Sequence, residues 1–499
     1  MGTNTVNKSS EITFGTDGWR AIIAEQFTFA NVERVAYAVG EYIRHSYYAG
    51  GQGARLPVLV GYDTRFLADR FAYHAARVLI SMGVPARVSC RDVPTPTIAW
   101  SVQVEPTAGA LQLTASHNPP EYCGIKYIPH YAGPATNAIT EQIACYLDRI
   151  PEGYEVEPVP VPTFDPQPPY LEALKERVDL ELIGRSGLKV GYDANYSTSR
   201  DYLDRVLKEA GVDCTVLHDW RDPLFGGGMP EPKPQYLKDL ISLVIEKKLD
   251  VGLATDGDAD RFGVIDETGA YLSPNQLLCL VGRHLVKNRG LNGTIVRTVA
   301  TTHMLDRLAE LYGLQVIETP VGFKYVGEHM RSADVLIGGE ESGGISVKGH
   351  IPEKDGILGN LLIVEMMACE RSPLSRIWAK LQEEAGVRLV GRRADLHLNA
   401  TTQRGLMDTL ESSPFAEVGG QKVSRIGRDD GLKFYFDELN WFLVRPSGTE
   451  PMIRLYFEGT SVECVETVMA DFQRQVDEIL ARYNGGGKRA PSDKVESGV

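Results

Sequence analysis

Seven cysteines are scattered through 499 residues, an odd number with no C-x-x-C pair among them. That excludes a disulfide-stapled scaffold and leaves no legible zinc site; reduced thiols in a cytosol fit it best. Positive charge is also scarce. The formal net charge of -14 argues against nucleic-acid binding and against a basic membrane patch, so acidic substrates must be met by local clusters of Arg and Lys. No apolar run approaches the length of a membrane span. The opening residues Met1-Gly2-Thr3-Asn4-Thr5-Val6 lack the regions of a signal peptide, and Val6 fails the hydroxyl requirement for myristoylation, so a cytoplasmic location is expected. Two catalytic signatures are missing. Without G-x-x-x-x-G-K-[ST] the chemistry is not that of a P-loop nucleotidase, and without G-x-S-x-G a hydrolase triad is disfavoured.

What is there is an ordinary globular composition, 43% hydrophobic and 24% charged, in a chain too long for one core. Three stretches share one plan: an apolar strand, a polar loop, an amphipathic helix, a Gly and a second strand. The first opens at Leu56-Pro57-Val58-Leu59-Val60 and turns at Gly83; the second opens at Leu188-Lys189-Val190 and turns at Gly211; the third opens at Thr294-Ile295-Val296 and turns at Gly313. From Arg388 onward the segments Val423–Ile426, Leu432–Phe436 and Trp441–Val444 are strand-like and precede a helix from Val462 to about Tyr483. The expectation is an α/β protein of four domains, three similar α/β domains with mixed sheets and a C-terminal α+β domain. Their spans are 1–155, 156–290, 291–386 and 387–484, followed by a Gly-rich, polar tail 485–499 expected to be disordered. A Pro-rich connector, Pro158 to Pro169, separates the first domain from the second. Oligomeric state is not legible.

Between two strand-like segments, Asp256, Asp258 and Asp260 alternate in one short loop. Unit charges about 4 Å apart repel by roughly 4 kcal/mol at an effective dielectric of 20, so a cation is expected among them. Hard carboxylate ligands favour Mg²⁺ over Zn²⁺. An EF-hand is excluded because its sixth position must be Gly and here is Arg261, with strand-like flanks. A solvated turn is the remaining alternative. Three further polar loops stand out. Thr114-Ala115-Ser116-His117-Asn118-Pro119-Pro120 ends a strand-like segment; Gly339-Glu340-Glu341-Ser342-Gly343 offers acids and a hydroxyl to sugar hydroxyls; Arg445-Pro446-Ser447-Gly448-Thr449 can form an anion nest.

Together with Phe14-Gly15-Thr16-Asp17-Gly18-Trp19-Arg20, these loops in this order resemble the α-D-phosphohexomutase superfamily over nearly the whole chain. The resemblance implies four domains around a central cleft, each giving one loop. It implies that Ser116 carries a phosphoryl group and that Asp256, Asp258 and Asp260, with an oxygen on Ser116, hold Mg²⁺. It implies that Glu340 and Ser342 bind sugar hydroxyls, and that Arg445, Ser447, Gly448 and Thr449 grip the non-reacting phosphate. Arg20, Lys126 and Arg261 line the reacting centre, and Lys324 adds a substrate contact. The Glu-Glu-Ser loop is more similar to phosphoglucomutases than to phosphoglucosamine mutases. One departure stands: relatives commonly have Tyr-Asn-Gly where this chain has Tyr122-Cys123-Gly124, which removes an amide.

The expected activity is interconversion of glucose 1-phosphate and glucose 6-phosphate through a hexose 1,6-bisphosphate, which also serves as activator, with mannose phosphates as a further candidate. Phosphoryl transfer needs positioning and charge neutralisation, so Arg20, Arg261 and Lys126 are required as cations. Lys126, expected among other cations, is chosen to transfer the proton, and His117 to orient phosphate. A glucose-1,6-bisphosphate synthase on the same scaffold and a non-catalytic phosphosugar-binding protein are the alternatives.

Overall fold

The computed structural model describes residues 12–15, 18–48, 55–447, 452–483 and 495–498. The chain divides into two compact units, residues 1–293 with 322–377, and residues 294–321 with 378–499.

The first unit repeats one plan twice. Val58–Tyr62 runs parallel to Ala86–Ser89 across the helix Ala68–Ser81, and Lys189–Asp193 runs parallel to Asp213–Leu217 across Leu203–Glu209. Each helix gives its apolar stripe to the sheet; in the first, Phe71, Ala72, Ala75, Val78 and Leu79 are buried at spacings of one, three and four. The glycines beyond the two helices, Gly83 and Gly211, have φ of 78° and 86°, the left-handed region expected of them.

The first sheet has six strands in the order Trp19–Ile22, Tyr122–Ile128, Ala110–Leu113, Val58–Tyr62, Ala86–Ser89 and Thr163–Phe164. Ala110–Leu113 and Tyr122–Ile128 are antiparallel neighbours, so the Ser116 loop is the return between two central strands. The last strand falls inside the Pro158 to Pro169 connector, which thus contributes a short edge strand to the first sheet. Thr163 and Phe164 pair in parallel with Val88 and Ser89. An extended proline-rich chain is already strand-like, and this non-proline dipeptide can lie on a sheet edge.

The second sheet runs Tyr271–Leu272, Phe262–Asp266, Val251–Thr255, Lys189–Asp193, Asp213–Leu217. Thr255 lies opposite Phe262, which makes the Asp256 loop a hairpin connection between two buried strands. A third hairpin, Val335–Gly339 with Ile345–Val347, carries the Glu340 loop at its tip. The helix Gly356–Glu370 is apolar on almost every face and buried along nearly its whole length, as such a helix must be.

The second unit holds the third repeat, Thr294–Thr298 parallel to Val316–Thr319 across the helix Met304–Tyr312, which closes at Gly313 with φ 66°. Its antiparallel sheet runs Arg425–Gly427, Leu432–Tyr435, Trp441–Pro446, Met452–Gly459, Val390–His397, Val495–Gly498. The helices Ala400–Ser412 and Val462–Tyr483 share its core, where the rings of Phe434, Phe442, Phe457 and Phe472 lie 4.5 to 5.9 Å apart. The tail expected to be disordered is corrected at its end. Residues 485–494 and 499 lie outside the described residues, but Val495–Gly498 pairs with Arg393 to Leu396, using the free edge of the strand Val390–His397. All seven cysteines are free, and no helix among the described residues is long and apolar enough to cross a membrane.

Candidate active site

The first unit brings the Ser116 loop against the Asp256 loop. Ser116 is a non-glycine residue at φ 51°, a left-handed conformation that costs on the order of 1–3 kcal/mol and persists only when its surroundings enforce it. Its backbone N–H donates to Thr114 Oγ1 (2.9 Å), and its hydroxyl donates to Asp256 Oδ2 (2.9 Å) and lies 3.3 Å from His117 Nδ1. Gly257 permits the approach: a Cβ there would stand 2.6 Å from the Ser116 carbonyl oxygen.

Asp256, Asp258 and Asp260 are all buried, and one oxygen of each lies within 4.8 Å of the others. Burial first, then the charges of Asp260 and Asp258, push the Asp256 carboxyl well above the usual carboxylate range. Asp260 goes the other way: burial would raise it, but Lys354, Lys126 and Arg261 hold it low. The donor set suits a hard divalent cation. Asp258 Oδ1 and Asp260 Oδ1 are buried without a hydrogen-bond partner among the described residues, so each has an oxygen to give to a metal.

Lys126, on the strand beside the Ser116 loop, places Nζ 3.1 Å from Asp258 Oδ2 and 3.3 Å from Asp260 Oδ2. Lys354 and Arg261 meet the same Asp260, so Lys126 shares its carboxylates with two further cations. Arg20 lies opposite Gly124 on the adjacent strand and donates to Asn118 Oδ1 (2.8 Å). Thr16 and Asp17 of the same motif lie outside the described residues. Arg261 is tied back to its own loop by its N–H to Asp256 Oδ1 (3.1 Å), with Nε 3.8 Å from Asp260. Burial, then Arg261, Arg20, Lys233 and Arg65, hold the His117 imidazole well below its usual range, which favours a neutral ring.

Glu340 is buried beside Lys354, and burial pushes its carboxyl up to about 7. At that value it can accept or donate to a hydroxyl. Ser342 is half-buried in the same loop. Lys324 donates to Asn137 Oδ1 (2.6 Å) and lies over the Tyr325 ring. In the second unit, Arg445 Nε donates to Asp430 Oδ2 (2.7 Å) and the Ser447 N–H to the Met452 carbonyl (2.9 Å); Gly448 and Thr449 lie outside the described residues.

Four family profiles match in chain order: phosphoglucomutase/phosphomannomutase alpha/beta/alpha domain I over residues 11–153, domain II over 168–269, domain III over 273–384, and the C-terminal domain over 401–475. The phosphoglucomutase/phosphomannomutase of Thermococcus kodakarensis is 31% identical over 456 residues, covering 90% of this chain and 95% of that protein. The chain belongs to the phosphoglucomutase/phosphomannomutase family. A crystal structure from Thermus thermophilus, named a "putative phosphomannomutase", has a TM-score of 0.83 at 32% identity, covering 94% of this chain and all of that one. The phosphoglucosamine mutase of Acetivibrio thermocellus is 29% identical, over 94% of this chain and 99% of that protein. The chain is thus a phosphohexomutase-family enzyme of the α-D-phosphohexomutase superfamily, with three α/β domains and a C-terminal domain.

Membership does not by itself find all the residues that meet the aspartate cluster. Lys354 Nζ lies 3.0 Å from Asp260 Oδ2, and the Thr95 hydroxyl donates to Asp258 Oδ2 (2.6 Å); neither was singled out from sequence. Lys354 had a usable signal, because a lysine in Glu353-Lys354-Asp355-Gly356 could answer the count of cations that three aspartates require. Thr95 had none, since a threonine at a helix start reads as a cap.

Proposed function

We propose that the chain is a cytoplasmic phosphoglucomutase that interconverts glucose 1-phosphate and glucose 6-phosphate through a phosphoserine at position 116 and a hexose 1,6-bisphosphate, with mannose phosphates as a further substrate class. One observation carries the reading: a strained, buried serine hydroxyl lies 2.9 Å from one of three clustered aspartates, two of which keep a buried oxygen without a hydrogen-bond partner among the described residues. Asp256, Asp258, Asp260 and an oxygen on Ser116 are the ligands we assign to Mg²⁺, which would supply charge neutralisation at the transferring phosphoryl group.

The charges favour this assignment over a solvated turn. Three buried carboxylates face Lys126, Lys354 and Arg261, and buried Glu353 lies 3.7 Å from Lys354, so these cations do not outnumber the acids around them. Adding a divalent cation creates an excess that a phosphoserine, with about −1.5 to −2 charges, would balance. In this scheme the Ser116 oxygen gives its phosphoryl group to a sugar hydroxyl, and the serine then recovers the other phosphoryl group from the bisphosphate. Lys126 moves the proton of the reacting hydroxyl, Arg20 and His117 orient the phosphoryl oxygens, and Arg261 and Lys354 offset their charge. Glu340 and Ser342 bind the sugar hydroxyls, Lys324 adds a contact, and Arg445, Ser447, Gly448 and Thr449 take the non-reacting phosphate. Free hexose 1,6-bisphosphate would act as activator by restoring the phosphoserine. The domain spans 1–155, 156–290, 291–386 and 387–484 belong to the same proposal.

Incubation with glucose 1-phosphate and Mg²⁺, with and without glucose 1,6-bisphosphate, tests the reading. Rapid isomerisation stimulated by the bisphosphate is expected. Net release of bisphosphate would instead indicate a synthase, and binding without turnover a silent phosphosugar-binding protein.

A further inference from the structure

Arg65 is wholly buried, yet it touches neither the aspartates nor any place where substrate would lie among the contacts described above. All five of its side-chain N–H groups are engaged. Nε donates to Asp63 Oδ2 (3.0 Å), Nη1 to the carbonyls of Pro119 (2.6 Å) and Tyr122 (2.9 Å), and Nη2 to the carbonyls of Ser116 (2.8 Å) and Asn118 (2.6 Å). Asp63 Oδ1 in turn accepts the backbone N–H of Arg65 (3.0 Å), so base and fork form one rigid piece. The guanidinium also lies 5.2 Å from the centre of the ring of Phe225, a buried residue of the segment that follows the strand Asp213–Leu217.

The four carbonyls belong to one loop, residues 116 to 122, and converge on one planar group. Such convergence has to be enforced, because carbonyl dipoles aimed at a common point repel. It also answers the question raised by the Ser116 backbone. The residue is fixed at its N–H by Thr114, at its carbonyl by Arg65 and at its hydroxyl by Asp256, and the guanidinium that takes its carbonyl also takes those of Asn118, Pro119 and Tyr122. Lysine could not do the same, since its three donors radiate from one point whereas the guanidinium fork spans several acceptors in a plane.

We propose that Arg65 is a positioning residue for phosphoryl transfer, a template that holds Ser116 in its left-handed conformation with the hydroxyl aimed at the aspartate cluster. This rests on the proposed role of Ser116 as phosphoryl carrier. A serine displaced by about 1 Å loses on the order of 10²-fold in rate while substrate and metal contacts made elsewhere persist.

The test compares wild type with Arg65→Lys, which keeps a charge opposite Asp63, and with Arg65→Ala, with and without millimolar guanidinium. Three quantities are measured: amide deuterium uptake over residues 114–123, the rate at which glucose 1,6-bisphosphate phosphorylates Ser116, and KM for glucose 1-phosphate turnover. Faster uptake confined to this loop is expected in both variants. So is a phosphorylation rate lower by about 10²-fold, with KM within about threefold. Guanidinium should restore part of the rate in Arg65→Ala but not in Arg65→Lys. Unchanged uptake and rate in Arg65→Lys would overturn the proposal. It would also be overturned by a general loss, in which melting temperature and KM both deteriorate with the rate, because that marks a purely structural arginine. A wild-type protein that never accepts a phosphoryl group would contradict the function proposed above instead, and the uptake comparison would still decide whether Arg65 holds the loop.

Discussion

At the scale of single residues, the site works by opposed charges at short range, and substitutions on the two sides should act in opposite directions. Asp258→Asn removes an anionic ligand, so Mg²⁺ half-saturation should rise about tenfold; Lys354→Met removes a competing cation 3.0 Å from Asp260, so half-saturation should fall while kcat drops about 10²-fold. Metal titrations of turnover check both signs, and a fall for Asp258→Asn or a rise for Lys354→Met would contradict the charge balance argued above. The residues with a compact local signature were legible in sequence: Ser116 in its Ser-His-Asn-Pro loop, the three alternating aspartates, Arg261 and Glu340. Arg65 and Thr95 were not, and Lys354 gave only its sequence neighbours as a signal, because the loop atoms these three meet at the site lie 51 or more positions away and only the folded chain brings them together.

Secondary-structure elements follow the same rule. The three strand–helix–strand repeats were readable because period and cap coincide; Thr163–Phe164 was not, because a two-residue edge strand between prolines has no period. The strand Leu432–Tyr435 carries a further consequence. Lys433 is buried, donating to the Val299 carbonyl (2.7 Å) and to Glu318 (3.1 Å), 2.9 Å from His303 Nε2, and lying over the Trp441 ring with Arg297 and Glu458 nearby. Burial, reinforced by Arg297, lowers its ammonium to about 8. Between that value and the ordinary lysine range the unfolded chain binds the proton and the folded one does not, so stability rises with pH across this window. Hydrogen exchange of the strands Leu432–Tyr435 and Trp441–Pro446 should show a gain on the order of 2–3 kcal/mol from pH 8 to pH 10.5, relative to Lys433→Met. A flat difference would show that Lys433 keeps its proton.

For the whole molecule, the excess of acidic residues leaves substrate capture to a few local cations, and in the second unit Arg445 is the one proposed to meet the distal phosphate. Charge-assisted contacts to phosphate contribute about 1.5–3 kcal/mol, so Arg445→Ala should raise KM roughly tenfold or more and release more bisphosphate per turnover; steady-state kinetics with chromatography of the sugars measures both. The domain order was legible because each loop motif lies in its own stretch of chain, whereas the sugar preference rests on the Glu340-Glu341-Ser342 loop alone: relatives of similar identity are named for glucose, mannose and glucosamine phosphates. Everything proposed about the reaction depends on Ser116. Intact-mass measurement after exposure to glucose 1,6-bisphosphate and Mg²⁺ tests it most directly. The account predicts one phosphoryl adduct on the wild-type chain, discharged by glucose 1-phosphate, and neither adduct nor turnover for a folded Ser116→Ala; an adduct at full occupancy in that variant, or turnover without one in the wild type, would contradict it.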